Sequence, residues 1–224
     1  MMLGFLSARQ ALRLGRDSFF PTSNLDLPLR NSEQIKCDDL IPQFGYVGQR
    51  YAKRRILLMF VNPANGSDPR AADDERMMPH LTRFSKEPTE RNFADAGQAY
   101  NAECHNWRMS SRYHSYLFGE EKLSCDEVAY ANCLPWRTQS GTHFSDDIAK
   151  VTSKFYVGLL LDELKPKILI AMSKRSNEII NMSLIGMAED KPIWRSFVWN
   201  FAQAETGQVR REREAMAAAI LNTA

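Results

Sequence analysis

Asn62 and Asn132 each stand at the end of a short apolar run, and each is followed within three residues by a proline. A carboxamide offers both donors and an acceptor, which suits it to the edge of a heterocyclic base. Lys174 and Arg175 follow a third apolar run, and Gln203 and Glu205 follow a fourth. Cations neutralise phosphates, and aromatic rings such as Trp136 stack on bases. Together with Asn65, Arg137 and Ser173, these residues suit a neutral heteroaromatic ligand that carries or is flanked by phosphate.

The elements that would position them alternate between strand and helix. Ile56 to Val61 is a continuous run of β-formers, as in an inner strand covered on both faces. Pro63 cannot extend it and biases Asn62 away from the helical region. Residues 127–133 and 168–172 read as a second and third strand, and Ile193–Phe201 as a fourth. Residues 1–20 read as an amphipathic helix ending before Pro21, and residues 21–54 as irregular, with five Pro and Gly breakers. Residues 66–126 are polar and mostly helix-like. Ser145 reads as an N-cap, with Asp146 and Asp147 in the first turn of a helix running to Leu164. Ile148, Val151, Phe155, Leu159 and Leu160 would be its buried face. Further helices are expected from Asn177 and over Gly207–Leu221. The alternation predicts an α/β fold, a three-layer α/β/α sandwich around a central four-stranded, mainly parallel sheet, as one domain over residues 1–224. Loops that follow parallel strands share one edge, where ligands bind in open α/β sheets.

Composition narrows the chemistry. The chain has 224 residues, 44% hydrophobic and 25% charged, with a net charge of +2, so any nucleic-acid binding must rest on local patches. Cys37, Cys104, Cys125 and Cys133 show no CxxC spacing and the four His are dispersed, so neither a metal nor a cofactor is expected. Free thiols point to a reducing, cytoplasmic setting. No apolar run reaches membrane-spanning length. The first twenty residues, with Arg9, Arg13 and Arg16 and no acid before Asp17, also resemble a weak mitochondrial presequence, but the helix reading is preferred. GxGxxG, GxxxxGK[ST] and GxSxG are all missing, which argues against dinucleotide, Walker-type and α/β-hydrolase sites.

Phe60-Val61-Asn62-Pro63-Ala64 resembles the first motif of the uracil-DNA glycosylase superfamily, Gly-x-Asn-Pro-Gly, departing from it at both glycines. Pro166-Lys167-Ile168-Leu169-Ile170-Ala171 is similar to that family's third-strand segment. The final His-Pro-Ser or Asn-Pro-Ser motif is replaced by Asn200–Gly207, where only Asn200 can be matched. The resemblance implies a monomeric DNA glycosylase in which Asn62 orients the attacking water. It places Asn132 where some members read the flipped base, and an aromatic, Tyr46 or Tyr113, would stack on that base. His114 would supply a donor. Lys174, Arg175, Gln203, Arg210 and Arg211 would meet the DNA. Ala64 stands where uracil-specific members carry a bulky Tyr. It would leave room for a C5-modified pyrimidine, such as the glucosylated hydroxymethyl bases of phage, and for a role in anti-phage defence. The competing expectations are a non-catalytic nucleic-acid-binding module of the same fold, a uracil or mismatch repair glycosylase, and a nucleoside or nucleotide hydrolase.

Overall fold

The computed structural model describes residues 2–19, 41–61, 63, 71–104, 111–136, 145–185, 195–199 and 206–223. The centre is a five-stranded sheet of β1 (Gly45–Val47), β2 (Ile56–Phe60), β3 (Val128–Asn132), β4 (Ile168–Ala171) and β5 (Arg195–Val198), in the order β1-β3-β2-β4-β5. β3, β2, β4 and β5 are parallel, and β1 pairs antiparallel with β3. The α/β class and the mostly parallel sheet agree with the expectation. The fifth, antiparallel strand is new, and it falls in a stretch read as irregular.

The apolar runs become the strands because both faces are covered. Ile56, Leu57, Leu58 and Met59 are fully buried, as are Ile168, Leu169, Ile170 and Ala171. Tyr130 of β3 and Cys133, just past its end, meet different helices. Tyr130 stacks on Phe118, just beyond α5 (Ser111–Leu117), whereas Cys133 lies 4.0 Å from the carbonyl of Ser176 in α8 (Lys174–Ile185). β1 is short and depends on its partner. Gly45 has φ 107°, and a Cβ there would lie 2.0 Å from the carbonyl oxygen of Tyr130, so only glycine lets the two backbones pair.

The N-terminal helix is shorter than expected. α1 (Phe5–Leu14) stops at Gly15, and a 3₁₀ turn follows over Arg16–Phe19. A short α2 (Tyr51–Arg54) precedes β2. The helix-like stretch between β2 and β3 holds α3 (Ala71–Lys86), α4 (Glu90–Cys104) and α5. α8 begins at Lys174 rather than Asn177, and α9 (Gly207–Thr223) closes the described chain. Ser145 caps α6 (Asp146–Thr152) as expected, its hydroxyl accepting from the amide of Ile148 at 3.3 Å.

The helix after Ser145 departs from its expected face. A π-helical turn over Ser153–Val157 separates α6 from α7 (Gly158–Leu164). One such turn advances the register by a residue. Tyr156, Val157, Leu160 and Leu161 therefore point inward, while Phe155 and Leu159, expected to be buried, are 37% and 44% exposed.

Candidate functional site

The strand order fixes where a crevice can open. From β2 the chain crosses to β3 on one side, then to β4 on the other side of β2. Connections of parallel strands are right-handed, so reversing direction sends the crossover helices to opposite faces. The loops leaving β2 and β4 thus diverge, and ligands bind at such a switch point.

Backbone bonds continue past the strands and hold their carboxyl ends together. Cys133 and Leu134 donate to the carbonyls of Phe60 and Val61 at 2.8 and 2.9 Å. Met172 donates to Met59 at 2.9 Å, and Trp199 to Ala171 at 2.6 Å. Val61 and Pro63 are buried at this edge. Asn62 and Ala64, which flank Pro63, lie outside the described residues, as do Asn65, Arg137, Gln203 and Glu205.

Asn132 is at the predicted strand end and is 2% exposed. Its Nδ2 donates to the carbonyl of Gln43 at 2.8 Å. Burial pushes the Tyr100 phenol well above its ordinary value, and a hydrogen bond with Asn132 pulls the other way. Asn132 therefore ties β3 to the segment before β1 and to α4. Gln43 completes the clamp, its amide donating to the carbonyl of Pro135 at 2.8 Å. The Gln43 side chain is also buried, 1% exposed, and its Nε2 has no partner among the described residues. A buried donor left unmade costs about 1–3 kcal/mol. Gln43 is thus a candidate ligand-reading residue that the sequence reading missed. Its only local signal is that it sits two residues before Gly45, and its pairing partners are about ninety residues away.

The remaining candidates divide. Tyr46 is buried on β1, stacked on Tyr130 with ring centroids 6.3 Å apart. Its hydroxyl donates to Asp126 at 3.0 Å, just before β3 and at the amino edge of the sheet, away from the crevice. Burial, then Asp126, pushes its phenol up. Tyr113 is nearer. Its ring is 5.9 Å from that of Phe60, two residues before Asn62, and 6.4 Å from that of Phe118. It is 2% exposed, and burial holds its phenol well above the ordinary range. Both rings act as core aromatics in this structure. His114 stacks on Phe118 at 5.0 Å and 17°. Partial burial lowers its pKa, which keeps the ring neutral at pH 7.

The cations sit at helix starts. Ser173 and Ser176 cap α8 reciprocally, each hydroxyl accepting from the other's backbone amide at 3.0 Å, a serine version of the capping box. Lys174 is exposed beside them. Arg175 binds Asp146 at 2.9 Å and Glu178 at 3.0 Å, linking α8 to α6. Thr206 caps α9 by accepting from Val209 at 3.3 Å. Arg210 pairs with Glu214 at 3.1 Å, and Arg211 is exposed. Among the described residues no three His, Cys, Asp or Glu side chains converge as a metal site would require, and no helix is long and apolar enough to cross a membrane. The chain matches no protein-family model, and no curated protein matches it significantly in sequence.

Proposed function

We propose that the chain is a DNA glycosylase that binds a flipped, C5-modified pyrimidine at the carboxyl edge of the sheet, around the end of β2, and leaves an abasic site. The observation that carries this reading is the meeting of neutral amides at one edge: Asn132 and Gln43 at the end of β3, beside the end of β2 from which Asn62 follows. The unpartnered Nε2 of Gln43 suits the carbonyl of a pyrimidine. The resemblance of Asn62-Pro63 to the first glycosylase motif supports the same assignment.

In this mechanism a base leaves the stack because chemistry at C1′ is blocked inside the duplex. Asn62 orients a water below C1′. The C1′–N bond breaks toward an oxocarbenium-like sugar, and the base departs with the bonding electrons. Water supplies the hydroxyl at C1′ and the proton that the base takes up. An amide is a weak base, so the rate rests on oriented dipoles and the substrate's own phosphates. Ala64 leaves space for the C5 substituent, and excision of phage-type bases would serve anti-phage defence.

A second reading, a nucleic-acid-binding module without cleavage, is favoured by one contact: the Asn132 amide already donates to Gln43. Base release separates the two. Duplexes carrying uracil, a thymine mispair, 5-hydroxymethylcytosine or its glucosylated form are incubated with the full chain, and abasic sites are cleaved with alkali. Strand breaks on the glucosylated duplex support the glycosylase. Breaks confined to uracil or mispairs make it a repair enzyme. Binding with no breaks on any duplex supports the binding module.

A further inference from the structure

The opposite edge of the sheet is built from different material. Arg55 precedes β2, Lys167 precedes β4, and Arg195 opens β5. The amide of Lys167 donates to the Arg55 carbonyl at 2.8 Å, and that of Arg195 to the Lys167 carbonyl at 3.0 Å. These bonds bring three cations to one edge of neighbouring strands, which lie about 4.8 Å apart, with Arg195 paired with Ile168 and so one residue further along than Lys167 and on the other face of the sheet. On the β3 side, α2 and the residue before it add Lys53 and Arg50, with side chains 63% and 56% exposed, and the more enclosed Arg54. Lys165 is exposed two residues before Lys167.

The acids at this edge do not balance the cations. Glu127 is shared by Lys53 and Arg54, each at 3.0 Å, and by Arg50 at 4.0 Å. Asp126 bonds Tyr46, and Asp162 is exposed on α7 one turn before Lys165. The Arg55 guanidinium donates to the Lys165 carbonyl and that of Arg195 to Thr223 Oγ1, so both keep their charge. Among the described residues no carboxylate pairs with Lys165 or Lys167. Arg55 ties the start of β2 to the end of α7 and Arg195 ties β5 to α9, whereas Lys165 and Lys167 make no such tie among the described residues and add only like charge, which opposes folding.

We infer that the amino edge of the sheet, from Lys53 through Arg55 and Lys167 to Arg195, is a second nucleic-acid-binding strip that grips the phosphate backbone without reading sequence. The cations succeed one another along the edge in strand order, β3 side, β2, β4 and β5, as phosphates succeed one another along a nucleic-acid strand. The residues between these cations, Ile56, Pro166 and Ile168, are buried, so the strip itself offers nothing apolar to a bilayer. Lying opposite the crevice, it would hold a second segment of DNA, or the far arm of a bent one. The inference stands whether or not the crevice cleaves a base.

The test uses the full chain and a fluorescent, unmodified 20-base-pair duplex, with affinity read by anisotropy between 50 and 200 mM NaCl. The expected result is that Lys165→Gln/Lys167→Gln binds on the order of tenfold more weakly at 150 mM salt, and that the slope of log affinity against log salt falls by roughly 1.8. Lys167→Gln alone gives about half that slope change and serves if the double variant folds poorly, as judged by circular dichroism. Wild type that fails to bind the duplex, or variants with wild-type affinity and slope, overturns the inference. So does wild type that co-floats with phosphatidylserine vesicles while ignoring DNA.

Discussion

The two edges of this sheet differ as a reading surface differs from a holding surface. The carboxyl edge carries neutral amides, Gln43 and Asn132, buried beside Val61, Trp136 and Met172. The amino edge carries Arg55, Lys167 and Arg195 with little counter-charge. Amides in a dry setting discriminate ligands by donor and acceptor pattern, because a mismatch leaves a buried group unmade. Exposed cations on flexible stems add affinity without discrimination, and salt weakens them. A protein that must hold a polyanion and inspect one of its units needs both kinds of surface. A parallel sheet separates them, because all of its strands begin at one edge and end at the other.

Three substitutions challenge that contrast. The largest effect on stability is expected at Asn132. Asn132→Ala orphans the Gln43 carbonyl, and urea unfolding should show a loss of about 1–3 kcal/mol. An unchanged midpoint would mean that the clamp is not structural and that Asn132 is free for ligand.

Glu127→Gln tests the amino edge. Hydrogen bonding to Lys53, against the cost of burial, with the charge of Arg54, lowers the Glu127 pKa below its ordinary 4.5. A carboxyl whose pKa falls on folding adds stability above its unfolded pKa, and that stability is lost as pH drops through the folded value. The variant should lose about 1 kcal/mol at pH 7 and show a flatter stability profile below about pH 4.5. It should also bind DNA about threefold more tightly, because a negative charge leaves the strip. Weaker binding would contradict the strip.

No loss of stability is expected for Gln43→Leu. Removing a buried donor that has no partner relieves a cost of about 1–3 kcal/mol, so urea unfolding should show the variant at least as stable as wild type. Base release should nevertheless fall about tenfold or more. Equal release would detach Gln43 from the site and leave the carboxyl edge without its distinguishing group.

Legibility in the sequence followed local determination. β2, β3 and β4 could be read because each is an unbroken apolar run that both faces require. The Ser145 cap could be read because it is a contact three residues long. β1 could not, because Gly45-Tyr46-Val47 becomes a strand only when Tyr130 and Ala131 lie alongside. The π turn was also hidden, since one extra residue in a helix leaves the apolar count unchanged but rotates Phe155 and Leu159 outward. In the candidate site, the strand-end position of Asn132 was visible and its bond to a carbonyl 89 residues away was not. Tyr46 and Tyr113 offer a stacking face that any core tyrosine shares, and both are buried in the core. The cations of the amino edge were invisible because Arg55, Lys167 and Arg195 come to one edge only when β2, β4 and β5 pair.

Base release by Asn62→Ala compared with wild type, on a duplex carrying glucosylated 5-hydroxymethylcytosine, bears most directly on the central claim. Abasic sites from wild type, a loss of at least about a hundredfold in the variant, and DNA affinity within about twofold would place the chemistry at the carboxyl edge and the holding elsewhere. Equal base release by both proteins would contradict that account, as would binding by wild type without an abasic site on any duplex.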